Sequence, residues 1–135
     1  MPTRSLRLHR QTALPLLVLL SLSSTLVACT DAGMTPVYPQ SMVEPVSVEK
    51  RSATEIAVRY KVRPETRHYA GGVDFERVGD ALRIVIKRCT VGSACAPMAK
   101  SVIPLDDRWQ GEVHLPFDAA RVVMVSADGE RQVYP

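Results

Sequence analysis

The chain has 135 residues and a formal net charge of +3, and the position of that charge argues against a nucleic-acid-binding role. Three of the 17 basic residues, Arg4, Arg7 and Arg10, lie within the first 28 residues, which contain no acid. Residues 29–135 therefore carry 14 basic and 14 acidic side chains, and they lack the basic surface expected of a nucleic-acid binder. This remainder has the length of one domain with its own core.

The first 28 residues have the layout of an export signal. The three arginines precede an apolar run from Ala13 to Leu20, and small or apolar residues follow it. A signal peptide needs a positive segment, about 7–15 apolar residues and small residues at the cleavage point. The run is too short for a permanent transmembrane helix, which needs about 20 apolar residues. The sequence therefore predicts that the chain is exported.

The segment Leu26-Val27-Ala28-Cys29 closes this run. It resembles the lipobox of bacterial lipoprotein precursors, in which the cysteine is acylated and becomes the first residue of the mature protein. The resemblance implies that residues 1–28 are a cleaved signal peptide, that Cys29 is the site of lipid attachment, and that the membrane is a partner through this anchor. Each buried methylene of an acyl chain contributes about 0.8 kcal/mol, so several chains hold a protein permanently. A cysteine near an ordinary cleavage site by chance is the alternative.

The two residues after the cysteine bear on the final membrane. Thr30 follows Cys29, and Asp31 comes one place later. In enterobacterial lipoproteins, an aspartate directly after the cysteine favours retention in the inner membrane. The resemblance therefore implies the outer membrane, with the domain facing the periplasm. Inner-membrane retention and exposure on the cell surface stay open.

Residues 29–45 are expected to form a tether between the acylated cysteine and the domain. The segment contains three prolines and shows no sustained periodicity. Prolines remove hydrogen-bond donors and favour an extended chain, which at about 3.1 Å per residue reaches at most roughly 50 Å. Docking of Tyr38 and Met42 on the domain is the alternative to a free tether.

Residues 46–135 carry the signal of a single β domain. Residues 54–62 alternate between apolar and polar side chains, which marks a half-buried strand. The chain continues with further strands separated by turns, at 73–78, 81–89, 98–103, 109–115, 121–126 and 131–134. About seven short strands predict an all-β fold, a small antiparallel β-sandwich of immunoglobulin or transthyretin type. A small open β-barrel is the second possibility.

Three details of this domain are predicted more closely. Gly79-Asp80 suits a type II′ hairpin turn, and Asp128-Gly129 is a second hairpin signal. Val85, on the outer face of its strand, indicates a central strand covered on both sides. Trp109 is the only tryptophan and is expected in the core at one end of the sandwich, whereas an exposed Trp109 would indicate a binding anchor.

Two cysteines remain once Cys29 is assigned to lipid. An even pair in an exported chain predicts a disulfide, here between Cys89 and Cys95. The bridge closes a short loop that contains one glycine. The loop-closure model gives about 2 kcal/mol for a loop of this size, so the bridge mainly fixes local shape.

No catalytic site, metal site or cofactor is expected. His68, His114 and the two bridged cysteines do not show the Cys-x2–4-Cys or His-x3–5-His spacing of a zinc site. No serine lies in a Gly-x-Ser-x-Gly elbow, and Asp106-Asp107 is an acidic pair in a turn. A pair of distant carboxylates for glycoside hydrolysis stays open, as the sequence does not show which acids meet.

Basic residues recur on two of the predicted strands. One interpretation is a continuous basic strip that docks an acidic partner or a phosphate. The preferred interpretation is that these residues are ordinary charges on exposed sheet faces, where they discourage edge pairing. The residues concerned are Arg59, Lys61, Arg63, Arg83, Lys87 and Arg88.

These observations predict a lipid-anchored, non-catalytic periplasmic protein that binds or braces another protein of the cell envelope. A small sandwich on an acylated tether is similar in architecture to the outer-membrane lipoprotein of type VI secretion and to other assembly lipoproteins, although no diagnostic motif is matched. The alternative is an inhibitor or ligand-binding lipoprotein, such as those that act on lysozyme, working through the Cys89–Cys95 loop. An envelope hydrolase is the least supported class.

Overall fold

A computed structural model describes residues 34–101 and 107–135. The expected signal peptide and the lipid-attachment residue Cys29 lie outside the described residues, and so does Asp106. Within the described part of the chain, no helix is long and apolar enough to cross a membrane.

In the described residues, eight strands form two sheets, and a three-residue 3-10 helix, Gln40–Met42, precedes them. The strands are β1 Val43–Lys50, β2 Glu55–Val62, β3 His68–Val78, β4 Ala81–Thr90, β5 Ala99–Lys100, β6 Gln110–Pro116, β7 Arg121–Ser126 and β8 Gly129–Tyr134. One sheet has the order β1-β2-β6 and the other the order β5-β3-β4-β7-β8. The sheets do not close into a barrel, so the predicted all-β sandwich is confirmed.

One strand pair departs from the antiparallel arrangement. β7 pairs with β4 in parallel, with Leu82 opposite Val122 and Ile84 opposite Met124. The chain leaves the larger sheet after β5, forms β6 in the smaller sheet, and then returns as β7. Such a crossover brings β7 back beside β4 in the same direction, which a hairpin cannot do.

The core lies between the two sheets and follows the predicted alternation. Every second residue of β2, from Ile56 to Val62, is buried, and so is the inward series of β4, from Leu82 to Ile86. Val85 faces the other side of β4 and is also fully buried, and β4 is the middle strand of its sheet. The prediction of a central strand is thus confirmed.

The N-terminal part of the described chain is packed on the domain. We call residues 36–42 the strap. Tyr38 is only 3% exposed and belongs to the core, and Met42 packs against it. The Ala127 amide donates to the Tyr38 carbonyl at 2.9 Å, and the Gln40 amide donates to the Asp128 carboxylate at 2.9 Å. Burial of the aromatic ring and these hydrogen bonds hold the strap on the domain, as the docking alternative for Tyr38 and Met42 expected.

β3 starts earlier than the sequence predicts. The paired glycines 71 and 72 were expected to lie in a loop, yet they form part of the strand, where the register shifts. They are needed because other parts of the chain pass very close. A Cβ at Gly71 would collide with the sulfur of Cys89, and one at Gly72 would collide with the carbonyl of Ala99. A pair that signals a turn in the sequence is here a site of close packing.

The connections divide between two ends of the sandwich. The first, which we call the strap end, carries the strap, the β2–β3 connection at 63–67, the bridged loop at 91–98 and the turn at 127–128. The second, the hairpin end, carries the connections at 51–54, 79–80 and 117–120. Phe117 and Tyr134 close the core at the hairpin end, with ring centroids 5.5 Å apart in an edge-to-face contact.

Candidate functional site

The two cysteines of the predicted bridge lie at disulfide distance. The Cα atoms of Cys89 and Cys95 are 5.7 Å apart. Cys89 is buried on β4, whereas residues 90–94 are all exposed. Val91, at the start of the loop, is 61% exposed. The bridge therefore fixes an exposed loop to a buried strand at the strap end.

Trp109 is not in the core, so that prediction is wrong. Its side chain is 47% exposed and its backbone has φ 61°, in the left-handed region. The inward series of β6 begins at Gly111 instead. A Cβ at Gly111 would lie 2.7 Å from the ring of Tyr60, so Tyr60 already fills the space at this level of the core. The left-handed conformation costs a non-glycine residue roughly 1–2 kcal/mol, and folding stability alone does not explain a tryptophan here.

A cluster of polar side chains closes the strap end beneath the surface. Arg88 continues the inward series of β4, so it meets the end of the core rather than solvent. Its Nε donates to Glu65 Oε2 at 3.0 Å, and its Nη2 donates to the other oxygen of the same carboxylate. The Arg88 guanidinium carbon also lies 5.7 Å from the centroid of the Tyr38 ring. The sequence analysis placed Arg88 on an outer face. Its position in the alternation 82, 84, 86, 88 could have shown that it shares the inward face of β4.

The ionisation of this cluster follows from its contacts. Hydrogen bonding from Arg88 lowers the pKa of Glu65, and burial followed by the charge of Glu65 raises the pKa of Tyr38. The Tyr38 hydroxyl is buried without a hydrogen-bond partner among the described residues. His68 Nδ1 lies 3.2 Å from Arg88 Nη2, so this nitrogen suits the acceptor role. The cluster is thus a charged pair held at the rim of the core.

The cavity beside this cluster is too small for a substrate. It has a volume of about 20 Å³ and is lined by Val62, Tyr69, Ala70 and Trp109, together with the 63–65 segment and His68. One water molecule needs about 10–15 Å³ on the same measure. The cluster therefore fastens the end of the sandwich and does not enclose a ligand.

The other buried polar side chains also have structural partners. Asp74 accepts the Met98 amide at 2.9 Å and pairs with Lys87 at 3.0 Å, which fastens the bridged loop to β3. Tyr60 donates its hydroxyl to Ser101 Oγ at 3.0 Å, and this contact joins the two sheets inside the core. Neither group lies beside a base that would make it a nucleophile.

The two histidines of the domain lie far apart in the fold. His114 is on the outer face of the smaller sheet, with Nε2 3.0 Å from Glu112 Oε1 and Nδ1 3.3 Å from Glu55 Oε1. The hydrogen bond from His114, and then the one from Arg59, lowers the pKa of Glu112. His68 starts β3 at the strap end. In the described part of the chain, no group of three histidine, cysteine, aspartate or glutamate residues is arranged to hold a metal ion.

The basic residues do not form one strip. Arg59 and Lys61 lie on the smaller sheet, whereas Arg83 and Lys87 lie on the larger one. Most of them are paired with acids: Arg59 with Glu49 at 2.9 Å and Glu112 at 2.6 Å, and Arg83 with Glu76 at 3.0 Å and with Glu130. These outer faces therefore carry interleaved charges of both signs, as the preferred interpretation expected.

An open groove of about 610 Å³ lies at the hairpin end. It has an apolar floor and a charged rim, and it is lined by Phe75, Glu76, Arg77, Leu82, Pro116 and Asp118. Arg77 forms an ion pair with Asp118 and donates to the Gly79 carbonyl at 3.0 Å and the Asp118 carbonyl at 2.8 Å. These bonds tie the β3–β4 hairpin to the connection after β6, so the shape of the groove is fixed before any partner arrives. The sequence did not predict it, because its walls come from distant segments.

Comparison with known proteins gives this chain no family. No protein-family model, curated protein or solved structure matches it. The function is therefore inferred from the geometry of the two ends and from the lipobox-like segment.

Proposed function

We propose that this protein is a lipid-anchored, non-catalytic protein of the bacterial envelope that binds and braces another envelope protein. Cys29 is the anchor, and the outer membrane is the proposed location, with the domain in the periplasm. The observation that carries the proposal is the difference between the two ends of the sandwich. The strap end holds the chain that leads back to Cys29, and the hairpin end holds the open groove.

The strap supports this arrangement. Tyr38 is buried at the strap end, and it lies nine positions after Cys29 in the sequence. Nine residues span at most about 32 Å even when fully extended. An acylated Cys29 therefore keeps the strap end near the bilayer, and the hairpin end is the part of the domain with the freest access to the periplasm.

The groove at the hairpin end has the character of a protein-binding surface. Its floor is formed by apolar side chains, including Phe75 and Leu82, and its rim by charged ones. Protein interfaces commonly combine an apolar centre with a polar rim. Val78, on the adjoining hairpin, is 51% exposed and extends the apolar surface beyond the groove.

The non-catalytic part of the proposal is supported by how the buried polar groups are used. Asp74, Ser101 and Glu65 are each engaged with a neighbouring amide, hydroxyl or guanidinium group. A catalytic nucleophile or base needs a free reactive atom facing a space that admits substrate. The cavity of about 20 Å³ at the Glu65 cluster does not provide such a space.

The anchor is tested by comparing the wild-type chain with Cys29→Ser in membrane fractions washed with high salt. We expect the wild-type chain to stay with the membranes and Cys29→Ser to be released. Ser47→Ala, at an exposed position of β1, is the control, because it leaves the lipobox-like segment and the Cys89–Cys95 bridge intact. Retention of Cys29→Ser on washed membranes would contradict the anchor.

The bracing role is tested by placing a photocrosslinking amino acid at Val78 in living cells. We expect one dominant envelope protein to be captured from this position, and its yield to fall when Asp118→Arg is introduced at the exposed rim of the groove. The same photocrosslinker at Ser47, on the exposed face of β1, is the control position. If the two positions capture the same background of proteins, the groove is not a partner site.

The inhibitor function stays as a second candidate because the bridged loop is exposed. Val91 is 61% exposed on a loop fixed by the Cys89–Cys95 pair. A soluble enzyme such as lysozyme would be the target. The loop lies at the strap end, however, where a short connection to Cys29 would limit access by a large soluble enzyme. Tight binding of such an enzyme, abolished by Val91→Asp, would favour this candidate over the groove.

A further inference from the structure

We propose that the strap end is itself a membrane-binding surface, and that it docks on an anionic phospholipid bilayer through Trp109, Val91, Arg63 and Arg67. We call these four residues the Trp109 surface. The inference deepens the proposed function and rests on the anchor at Cys29. It assigns an orientation to the domain: the Trp109 surface faces the lipid, and the groove at the hairpin end faces away.

The apolar part of this surface is unusual for its exposure. Trp109 and Val91 are 47% and 61% exposed. They flank the 63–67 connection: the Val62 amide contacts the Trp109 carbonyl at 3.4 Å, and the Val91 amide donates to the Arg67 carbonyl at 3.0 Å. Tryptophan is enriched at membrane–water interfaces, where its ring lies at the level of the headgroups.

The backbone at Trp109 points to a role other than packing. Its left-handed conformation, φ 61°, is rare for a bulky residue and marks a position where surrounding structure imposes strain. The strained backbone presents the indole at the surface rather than in the core. Contact with lipid headgroups explains an exposed indole, whereas packing in the core does not.

The charged part of the surface has the sign that an anionic bilayer attracts. Arg63 and Arg67 are exposed, and neither side chain has an ion pair among the described residues, in contrast to the paired arginines on the sheet faces. Few carboxylates lie at the strap end, and two of the three described ones already have partners. Glu65 is neutralised by Arg88, Asp128 accepts the Gln40 amide, and Asp107 is the exposed acid beside Trp109.

The tether converts this weak surface into an effective one. When Cys29 is anchored in the bilayer, docking of the domain takes place within one assembly, so the effective concentration of the domain at the lipid surface is high. Each Lys or Arg close to an anionic surface strengthens binding about fivefold. Two free arginines and an exposed tryptophan are then sufficient to set which side of the domain faces the lipid.

Trp109 is the only tryptophan of the chain, so its fluorescence reports directly on this surface. The full acylated chain, purified in detergent, is reconstituted into vesicles of phosphatidylcholine alone or of phosphatidylcholine with phosphatidylglycerol. We expect the emission to move to shorter wavelength in the anionic vesicles, and to be quenched by brominated lipid. High salt should reverse both changes, because the Debye length falls to about 3 Å at 1 M.

Two sets of variants separate a specific surface from general charge. Arg63→Gln with Arg67→Gln should lower the ratio of docked to undocked protein by about 30-fold, at about fivefold for each charge. Lys50→Gln is the matched control, because Lys50 is an exposed base at the hairpin end of β1, and it should leave the emission unchanged. Thermal melts of all variants confirm that each one is folded.

The outcomes distinguish failure of this inference from failure of the proposed anchor. If the wild-type chain floats with the vesicles but Trp109 is neither shifted nor quenched by brominated lipid, the anchor stands and the docking surface is wrong. Equal quenching in neutral vesicles would contradict the role of Arg63 and Arg67. If the chain does not float at all, the anchor is wrong, and the docking inference fails with it.

Discussion

Arg88 and Glu65 form a two-point charged contact at the strap end, with Arg88 Nε donating to Glu65 Oε2 at 3.0 Å and Nη2 donating to the second oxygen. The side chains are 29% and 16% exposed, so the pair is more shielded than the Arg59 pairs with Glu49 and Glu112 on the smaller sheet. Such a two-point arrangement gives geometric specificity as well as energy. It joins the β2–β3 connection to the end of β4 and lies against the ring of Tyr38.

Replacing the acid of this pair is expected to destabilise the fold. Glu65→Gln keeps the shape but removes the charge, and hydrogen bonds to charged groups contribute about 1.5–3 kcal/mol when shielded. Because Arg88 retains access to water, we expect a loss of about 1–2 kcal/mol in the free energy of unfolding, measured by urea denaturation. Glu76→Gln is the control, since the Glu76–Arg83 pair is more exposed and should contribute less than about 1 kcal/mol.

The same pair predicts how stability depends on pH. The pKa of Glu65 is lowered in the folded state, first by the hydrogen bond from Arg88. A lowered folded pKa stabilises the protein at pH values above the ordinary pKa of the carboxyl group, 4.5, and this contribution is lost as the pH falls through the folded pKa. The free energy of unfolding of the wild type, measured in urea, should therefore decrease as the pH falls through this acid range. The plot of this free energy against pH should be flatter for Glu65→Gln. Parallel curves for the two proteins would contradict the assignment.

The strap yields a prediction that separates packing from hydrogen bonding. Tyr38→Ala should cost about 3–5 kcal/mol, as large-to-small changes of core aromatics do. Tyr38→Phe should cost far less than Tyr38→Ala, because the ring is kept and no hydrogen bond of good geometry reaches the buried hydroxyl among the described residues. Chemical denaturation of both variants measures the difference. Equal stability of wild type and Tyr38→Ala would show that the strap is a free tether in solution.

The sequence predicted those parts of the fold that rest on local alternation. β2 and β4 were found because their side chains alternate with a period of two, and β7 was found because its residues are strongly β-forming and apolar on both faces. The Gly79-Asp80 hairpin was found for a similar reason, since only Gly79 there has a positive φ, 59°, as a type II′ turn requires. Local chemistry was sufficient in these places, because nothing distant competes with it.

The predictions that were wrong concern residues whose surroundings are set by distant parts of the chain. Trp109 has the parity of a core residue, but its backbone is left-handed and its side chain is 47% exposed, and no pattern within 109–115 reveals it. Tyr38 lies among prolines that suggest an extended tether, yet it packs beside β7, almost ninety residues later. The groove at the hairpin end and the Glu65–Arg88 pair have the same origin. Sequence reasoning identified candidate residues one by one, and the fold decided which of them meet.

The bridge between Cys89 and Cys95 is expected to give a modest, local contribution to stability. Replacing both residues by serine should cost about 2 kcal/mol, the loop-closure value for so short a loop. Because Cys89 is buried, a serine hydroxyl there adds a further small penalty. Denaturation under oxidising and reducing conditions measures the effect, and the double serine variant should be insensitive to reductant. A wild-type protein whose stability is unchanged by reductant would contradict the contribution of the bridge.

The contact between Gly111 and Tyr60 gives the sharpest test of the core. A Cβ at Gly111 would lie 2.7 Å from the Tyr60 ring, and the ring is buried between the sheets, so it has little room to move. Gly111→Ala should therefore cost about 1–3 kcal/mol, as overpacking does, although alanine usually suits a strand better than glycine. Ser47→Ala, on the exposed face of β1, is the control and should be close to neutral.

A double-mutant cycle decides whether the tyrosine ring is the cause. In a Tyr60→Leu background the obstructing ring is absent, so Gly111→Ala should cost less than it does in the wild type, with a coupling energy of about 0.5–3 kcal/mol. The free energies of unfolding of the four proteins, measured in urea, give this coupling directly. If Gly111→Ala costs the same in both backgrounds, the ring is not what requires glycine.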